Sequence, residues 1–395
     1  MNAPTNPIFN ANRMKIGIFS INGKGGIMTT VPEAYEPTWD VSVKTSQMAD
    51  AAGYEAIVSY ARWKGWVTGG NDDYTGLTME PYTWAAGIAQ ATNYSAVFAT
   101  SHAPTIHPIL AAKQAATIDL ISGGRFGLNV VGGWNKPELE MFGAPFKEHD
   151  HRYDHLAEWL AVIRRLWQSQ EEFDFDGDFF KVVRGSSIPK PVQKPHPAIM
   201  NAGGSDRGRR FACEHADMCF LIVQSEDPAS IRKQVDDYKR LAREEFGREV
   251  QVWTNSMVMQ RDTQAEADAY YHRCIIENED KASVDAWMRA QGEHARLMSP
   301  EALQAFRRRM AGSGGGFPLI GTAERIADRL EMLCDAGLDG ILLTWVDPVD
   351  GIARFSRDVL PLMERAGLRA PFASRPDDGE KSVAWAAGMG ESDNG

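Results

Sequence analysis

The chain of 395 residues contains no apolar run that approaches the roughly 20 residues of a membrane-spanning helix. Its first residues, MNAPTNPIFNANR, lack the apolar core of a secretion signal. Basic residues are not in excess, because the formal net charge is −11, which argues against nucleic acid or an anionic membrane as the main partner. We therefore expect a cytoplasmic protein that binds neither membrane nor nucleic acid.

Several motifs of well-known site types are also missing. The chain has 4 cysteines without CxxC spacing, so reduced thiols are expected rather than a disulfide framework. His151 and His155 are spaced to share one helix face and could bind zinc, but no H-E-x-x-H pattern is present and we predict no metal site. There is no G-x-S-x-G nucleophile elbow, and no G-x-G-x-x-G follows the first strand, which disfavours an open dinucleotide-binding sheet.

Strand and helix patterns alternate from Met14 onward. The segments predicted as strands are Lys15–Phe19, Ala56–Ser59, Ser95–Ala99, Phe126–Val131, Ala198–Asn201, Met218–Leu221, Gln251–Met259 and Gly340–Thr344. Repeated strand–helix units give a parallel sheet, and a count near eight predicts an α/β fold of the (β/α)8 TIM barrel type. We assign residues 1–13 to an N-terminal lead, 14–373 to the barrel and 374–395 to a small, acidic, disordered tail.

Residues 263–316 interrupt the alternation before the last strand. This segment is polar and helical, and it ends in Arg307-Arg308-Arg309 followed by Gly312–Gly316. It is either an insertion packed on the outside of the barrel, with its basic run solvated, or a lid hinged at the glycines. We favour the lid, because an insertion before the final strand lies on the rim where barrel enzymes place their sites.

The stretch Thr117–Trp134 contains a polar residue within a buried strand. Gly123 and Gly124 end a helix, since glycine enters the left-handed region cheaply, and Phe126–Val131 follows as an apolar strand. Asn129 lies inside that strand. Because a buried amide needs partners, Asn129 is either a satisfied core residue or part of a site.

Polar or unusual residues follow four consecutive strands of the predicted barrel. These are Tyr60, Ala61 and Arg62, then Thr100, Ser101 and His102, then Asn129 to Trp134, and finally Asn201 to Ser205. Convergence of four strands on one rim suits a large planar cofactor. Ser205 caps the next predicted helix, whose N-terminus offers a phosphate site or is an ordinary capped turn. His102 and His107 are possible acid–base groups, although we favour a packing or helix-entry role.

Four motifs in order resemble one known family. They are Thr117–Trp134, Lys136-Pro137-Glu138, His151-Arg152-Tyr153 and Asn201–Ser205. The chain is thereby similar to the bacterial luciferase-like, flavin-dependent monooxygenases, in particular to the branch of the pyrimidine and dimethylsulfone monooxygenases. The similarity runs from Met14 to about Ala366. It implies a luciferase-like TIM barrel and reduced FMN from a separate NAD(P)H:flavin reductase. It also implies O2 as co-substrate and a small substrate, either a nitrogen heterocycle or amide or an organosulfur compound.

The resemblance also implies roles for individual residues. The cofactor would be bound by Ala61, Arg62, Thr100, Asn129, Glu138, Arg152, Tyr153, Gly204 and Ser205. Thr100 would help to hold dioxygen, Asn129 would face the isoalloxazine edge, and Glu138 would contact the flavin or protonate the substrate, which makes these three the catalytic candidates. The substrate pocket would include Tyr60, His102 and Trp134.

Each of these roles has a structural alternative. Thr100 could satisfy its own backbone, Glu138 could be a solvated loop acid, and Arg152 could lie on the surface. Tyr60-Ala61-Arg62 replaces a Met-Ile-Lys-like segment of the pyrimidine-cleaving relatives, and Ser101–His107 also differs, so the substrate is not implied. Alternatives for the whole protein are an F420-dependent oxidoreductase on the same barrel and a non-catalytic flavin-binding protein.

The predicted helix Arg152–Trp167 suggests an oligomer. Leu156, Trp159 and Trp167 offer more apolar surface than one core seam needs. As in the related proteins, we expect a homodimer or homotetramer.

Overall fold

The computed structural model describes residues 6–133, 135–144, 148–290 and 300–373. The strands are β1 (Lys15–Phe19), β2 (Ala56–Val58), β3 (Ala96–His102), β4 (Phe126–Val131), β5 (Phe173–Asp176), β6 (Lys181–Gly185), β7 (Ala198–Asn201), β8 (Met218–Phe220), β9 (Gln251–Gln260), β10 (Phe317–Gly321) and β11 (Gly340–Thr344). Trp134 and the tail 374–395 lie outside the described residues.

The α-helices alternate with the barrel strands. They are α1 (Trp39–Ala51), α2 (Pro81–Ala91), α3 (Pro108–Ser122), α4 (Lys136–Met141), α5 (His149–Gln168), α6 (Asp206–His215), α7 (Pro228–Phe246), α8 (Gln264–Tyr271), α9 (Lys281–Ala290), α10 (Pro300–Ala311), α11 (Ala323–Asp335), α12 (Pro348–Arg354) and α13 (Leu360–Arg365). π-helical turns follow α8 and α12, at His272–Glu277 and Phe355–Val359. Among the described helices, none has the length and hydrophobicity needed to cross a bilayer.

Eight parallel strands close into a barrel. Their order is β1-β2-β3-β4-β7-β8-β9-β11, and β11 pairs in parallel with β1 to complete the ring. All eight correspond to predicted strands, and the TIM-barrel prediction is confirmed. β10 is an additional strand that pairs with the second half of β9.

Two features of the sheet structure were not predicted. β5 and β6 form an antiparallel hairpin outside the barrel. β10 contains Pro318, which cannot donate a hydrogen bond to a ladder and argues against a strand in the sequence. The strand is tolerated because it lies at the edge, where β9 is its only partner among the named strands.

The interior of the barrel is filled at its N-terminal end. Alternate residues of the strands, among them Phe98, Met200 and Trp253, form a cluster with Ile8 from the turn Pro7–Phe9. The Gln251 side chain donates to the Ile8 carbonyl at 2.7 Å and fixes this turn to β9. Within the described barrel, the packed floor leaves the opposite, C-terminal end of the interior open for a site.

The prediction that Leu156, Trp159 and Trp167 form an oligomer surface is wrong. All three side chains are buried within this chain. The Trp159 and Trp167 indoles donate to the carbonyls of Ile106 (2.9 Å) and Ala112 (3.0 Å), so helix α3 and the segment before it cover this face of α5. Large indoles are buried readily when a carbonyl accepts their N–H, and the sequence does not say which neighbour supplies it.

The insertion between β9 and β10 packs against the loop after β1. Ile27 and Met28 of that loop share an apolar cluster with Met257 and Met259 of β9 and with Cys274, Ile275 and Val284 of the insertion. The basic run is not simply solvated, because the Arg307 guanidinium lies 2.7 Å from the Glu279 carboxylate. The described helices of the insertion therefore lie at the C-terminal end of the barrel.

Candidate functional site

A cavity of about 380 Å3 lies at the C-terminal ends of the barrel strands. Residues singled out in the sequence line it, among them Tyr60, Ala61, Arg62, Thr100, His102 and Asn129. Phe19, Trp66, Val131 and Phe220 give it apolar walls. A mainly apolar cavity with a few converging polar groups is typical of a small-molecule site.

Thr100 and Asn129 lie opposite each other on the neighbouring strands β3 and β4. The Thr100 hydroxyl donates to the Ser59 carbonyl at 2.5 Å and accepts from the Asn129 Nδ2 at 2.9 Å. These bonds orient the amide, and Asn129 Oδ1 is buried without a hydrogen bond from any described residue. A buried acceptor without a donor is costly, so this position suits a ligand N–H.

Glu138 is a buried carboxylate at the start of α4, 1% exposed. It accepts hydrogen bonds from the backbone N–H groups of Trp63 (3.0 Å) and Lys64 (3.3 Å). His102 Nδ1 lies 3.5 Å from Oε2, the outer limit of a hydrogen bond, and Arg62 Nε lies 3.8 Å from Oε1. These contacts exclude the alternative of a solvated loop acid.

The charge state of Glu138 follows from those neighbours. Burial alone would raise the pKa of this carboxyl, but His102 and Arg62 outweigh burial, and the pKa lies below its ordinary value of 4.5. Glu138 is consequently ionised at neutral pH. Arg62 and His102 line the cavity, and Glu138 stands behind them.

Arg62 brings a positive charge to the cavity wall. Its side chain is buried, and the guanidinium carbon lies 4.3 Å from the centre of the Trp66 ring. Burial lowers the pKa of Arg62, and the Glu138 charge partly offsets that effect. Arginine keeps its proton in proteins, so the wall can stabilise a negative charge that develops on a ligand.

In the turn after β7, Gly203 is closely surrounded by other atoms, whereas Gly204 borders empty space. The Asn201 Oδ1 accepts from the Gly203 N–H at 2.9 Å. A Cβ on Gly203 would lie 2.2 Å from the Gly208 carbonyl oxygen, whereas a Cβ on Gly204 would meet no atom within 4 Å. Only glycine fits at position 203, and free space lies beside Gly204.

This turn leads into the N-terminus of α6. The Ser205 hydroxyl accepts from the Gly208 N–H at 3.1 Å, which is the predicted cap. Tyr153 of α5 reaches the same helix turn, because a Cβ on Gly208 would lie 2.3 Å from its phenol oxygen. Burial raises the pKa of Tyr153, and a hydrogen bond with Ser205 partly offsets this. Two motifs far apart in the sequence therefore meet at one helix N-terminus.

A second cavity of about 410 Å3 adjoins the turn. It is lined by Gly204, Arg209 and Lys233 among others, and it shares Ala202, Phe220 and Ile222 with the first cavity. Arg152 lies apart from this second cavity, and its guanidinium donates to the Gly133 carbonyl at 2.9 Å. Space for a ligand thus extends from the barrel mouth towards the start of α6.

The remaining sequence candidates have structural positions of different kinds. The Tyr60 hydroxyl donates to the Lys24 carbonyl at 2.7 Å, which ties this cavity residue to the loop after β1. His107 Nδ1 accepts from the Ile109 N–H at 3.3 Å, so His107 caps α3, the helix-entry role that we favoured. Trp134 lies outside the described residues.

Several cavity residues were missed in the sequence. They are Ser20 after β1, Trp66 after β2, Asn255 on β9 and Trp287 on α9, while Ser313 and Gly314 belong to the Gly312–Gly316 run that was named as a hinge and not as cavity wall. Asn255 carried the same signal as Asn129, a polar residue within an apolar strand. The others lie in loops and in the insertion, where no local pattern indicates which side chains converge.

Comparisons with known proteins relate the chain to one family. The family described as "Luciferase-like monooxygenase" matches residues 14–340. Pyrimidine monooxygenase RutA of Acinetobacter baylyi is 31% identical, and the FMNH(2)-dependent dimethylsulfone monooxygenase of Pseudomonas putida is 33% identical. Each alignment covers 89% of this chain and 95% of the relative. The solved structure of long-chain alkane monooxygenase LadA shares the fold, with a TM-score of 0.80 at 21% identity over 91% of this chain and 93% of that chain.

Proposed function

The chain belongs to the luciferase-like monooxygenase family, and from this premise we propose that it is a two-component, flavin-dependent monooxygenase. A separate NAD(P)H:flavin reductase supplies reduced FMN, and O2 is used to oxidise or cleave a small organic substrate. The names of the relatives, a pyrimidine monooxygenase and an FMNH(2)-dependent dimethylsulfone monooxygenase, support this proposal. In the molecule itself, the carrying observation is the unmatched Asn129 acceptor in the first cavity, which shares Ala202, Phe220 and Ile222 with the second cavity beside Gly204.

FMN fits the residues of this site by charge and hydrogen-bonding type. The N-terminus of α6, with Gly204, Ser205 and Tyr153, suits a phosphate, because helix N-termini present N–H donors and a positive dipole end. Asn129 Oδ1 is an acceptor for a ring N–H, and Arg62 is a cation for the electron-rich ring. When bound, FMN supplies the redox chemistry with oxygen, and the protein supplies orientation and exclusion of water.

We assign proton transfer in the cavity to His102. Its Nδ1 faces the ionised Glu138, which leaves Nε2 as the nitrogen that can give a proton to the substrate or take one from it. Glu138 acts through its neighbours, since it orients His102 and balances the charge of Arg62. In this assignment Glu138 is a positioning residue.

Titration and oxygen uptake test the proposed function. The purified protein is titrated with FMN and with F420, and oxygen uptake is then followed with NADH, FMN and a flavin reductase over a panel of amides, nitrogen heterocycles and sulfones. We expect FMN to bind and at least one compound to be oxidised. Preference for F420 would establish the oxidoreductase alternative, and FMN binding without oxidation of any compound would establish a non-catalytic flavin-binding protein.

We propose that the insertion closes over the bound flavin and substrate. It already contributes Trp287, Ser313 and Gly314 to the cavity, and the Trp66 indole donates to the Ser283 hydroxyl at 3.0 Å. Hydrogen exchange with and without flavin and substrate tests this, and we expect residues 264–290 to gain protection on binding. Equal protection in both states would remove the lid function.

A homo-oligomer remains our proposal, on a different surface from the one first predicted. Leu110 of α3 is 53% exposed and Ile188 is 76% exposed. The Lys113 ammonium donates to the Ile188 carbonyl, which places Ile188 beside helix α3, on which Leu110 lies one turn before Lys113. Sedimentation of the wild type and of Leu110→Glu tests the surface, and an unchanged oligomer in the variant would exclude it.

The proposed compartment is the cytoplasm, which the four free, buried cysteines suit.

A further inference from the structure

We propose that Asn255 selects substrates that carry an amide-type N–H group, an inference that rests on the proposed monooxygenase function and names its substrate class. The residue lies in the middle of β9, is 4% exposed and lines the cavity. Its position in the wall and its hydrogen bonds both indicate this role.

The orientation of the Asn255 amide is fixed by the end of the insertion. Nδ2 donates to the Ser313 carbonyl at 2.5 Å and lies 3.3 Å from the Ser313 hydroxyl. Ser313 is itself held, because its hydroxyl donates to the Thr344 hydroxyl at 3.0 Å. An inverted amide would place its oxygen against the Ser313 carbonyl, so the nitrogen must face Ser313.

The other half of the amide is unmatched. Within the described ranges, no donor reaches Asn255 Oδ1, although this oxygen is buried. A fixed, buried acceptor is satisfied by a donor and by nothing else, and leaving it unpaired costs free energy. The cavity that Asn255 lines is the place from which a ligand can supply that donor.

Asn255 and Asn129 occupy different parts of the barrel mouth. In the ring of strands, two strands separate β9 from β4 on one side and four separate them on the other. We have assigned Asn129 and its neighbour Thr100 to the flavin. The acceptor on Asn255 is therefore available to a second molecule in the same cavity.

The wall beside Asn255 adds a second polar group. Ser20 lines the cavity directly after β1, and its buried hydroxyl has no hydrogen-bond partner in the part of the chain that the structure covers. Both Ser20 and Ser313 have left-handed backbones, with φ of 65° and 64°. This conformation is uncommon for serine and is often found at functional sites.

The other wall residues favour a flat ligand. Trp66 and Trp287 both line the cavity, and their rings meet edge to face with centroids 5.7 Å apart. Aromatic faces pack well against planar groups. A planar amide, imide or lactam matches both the rings and the Asn255 acceptor. A dialkyl sulfone has oxygen acceptors only and leaves Asn255 Oδ1 unpaired.

The test compares N–H compounds with their N-methylated forms. Uracil, benzamide and phthalimide, each beside its N-methylated form, and dimethyl sulfone are titrated into the FMN-loaded protein, and the change in flavin absorbance gives the Kd. We expect at least one N–H compound to bind at least about 10-fold more tightly than its methylated form, the scale of one hydrogen bond. In Asn255→Ala this ratio should fall to about one.

Thr254→Val is the matched control on the same strand. Thr254 is buried, its hydroxyl also has no partner among the described residues, and strand alternation directs it away from the barrel interior. This variant should keep the wild-type ratio.

Each other result has a defined meaning. Absence of discrimination in every pair, discrimination that survives in Asn255→Ala, or tightest binding of dimethyl sulfone overturns the inference. Loss of FMN affinity in Asn255→Ala also overturns it, because Asn255 would then belong to the flavin site. Failure of the wild type to bind FMN contradicts the proposed function itself, whereas FMN binding and oxygen consumption without discrimination contradict the substrate class alone.

Discussion

At the scale of single residues, the site contains buried polar groups. Some of their atoms have hydrogen-bond partners within the chain, and others have none among the described residues. Glu138 has protein partners at both oxygens, with two backbone donors and Arg62 near Oε1 and with His102 Nδ1 3.5 Å from Oε2. Asn129 and Asn255 each have one satisfied and one unsatisfied amide atom. Completed groups hold the site together, and incomplete ones are where a ligand gains affinity.

Replacement of Glu138 by glutamine should destabilise the fold. Glutamine removes the buried charge that faces Arg62 and His102, and we expect a loss of about 3 kcal/mol in urea unfolding at pH 7. Because the folded pKa of Glu138 lies below its usual 4.5, its stabilisation is present above that pH and is lost as the pH falls below it. In Glu138→Gln, the free energy of unfolding should lack this contribution to its dependence on pH.

Glu140→Gln is the control on the same helix. Glu140 is exposed and pairs only with Lys136 at 3.6 Å among the described residues, so its loss should change stability by less than about 0.5 kcal/mol. Equal effects of the two substitutions would contradict the buried network.

Asn129→Ala and Thr100→Ala should uncouple the reaction while leaving the fold intact. Groups that face the reacting centre are typically worth roughly 3 kcal/mol, so product formed per flavin oxidised should fall by up to about 100-fold. The ratio of product to oxygen consumed measures this, with circular dichroism as the check on folding. Thr100→Ser, which keeps the hydroxyl, should retain most of the coupling. A wild-type ratio of product to oxygen consumed in both alanine variants would show that these residues have a structural role only.

At the scale of elements, two adjacent glycines in the turn from β7 to α6 have different roles, one in packing and one in leaving space for a ligand. Gly203 is enclosed by backbone and by the Tyr238 hydroxyl, which donates to its carbonyl at 2.9 Å. Gly204 borders open space. The first position serves the fold, and the second serves whatever occupies the start of α6.

Alanine at each of these positions should therefore have a different effect. Gly203→Ala meets the Gly208 carbonyl and should lower the free energy of unfolding by about 1–3 kcal/mol. Gly204→Ala should keep wild-type stability and weaken FMN binding by at least about 10-fold, because a methyl group would fill the space for the phosphate. Thermal unfolding and FMN titration of both variants give the comparison. FMN affinity unchanged in Gly204→Ala would place the phosphate elsewhere.

At the scale of the whole molecule, the barrel was predictable and its additions were not. Parallel strands buried on both faces are short apolar runs in the sequence, such as Phe126–Val131 and Gly340–Thr344, and all eight were found. The β5–β6 hairpin was missed because it lies outside the strand–helix repeat, and β10 was missed because it contains Pro318. Most of the residues that line the cavity come from loops and the insertion, and tertiary contacts that bring Ser20, Asn255 and Ser313 together leave no periodic signal.

The acid stability of the whole chain should depend on His215 at the end of α6. Burial, and then the charges of Arg164 and Arg248, lower the pKa of His215 from 6.5 to about 4. Because the unfolded chain takes up this proton first, the free energy of unfolding falls as the pH drops from 6.5 towards 4. Between pH 6.5 and 5 the loss should be up to about 2 kcal/mol.

His215→Gln should remove that part of the pH dependence in urea unfolding. His272→Gln is the control, because His272 is exposed on the insertion. A wild-type slope in His215→Gln would show that other groups govern acid unfolding.

The insertion leaves β9 after Gln260 and returns as β10 at Phe317, and β10 pairs in parallel along the second half of β9, from Phe317 opposite Ser256 to Gly321 opposite Gln260. Both attachment points therefore belong to one strand pair, whatever the chain between them contains. The eight barrel strands all lie outside residues 261–316, so exchange of this segment in a designed chimaera would leave their sequence and length unchanged. Such a chimaera would replace Trp287 and Ser313 together and keep Asn129, Arg62 and the turn at Gly204. Under the assignments proposed above, substrate preference would change in such a chimaera while the proposed flavin site would not.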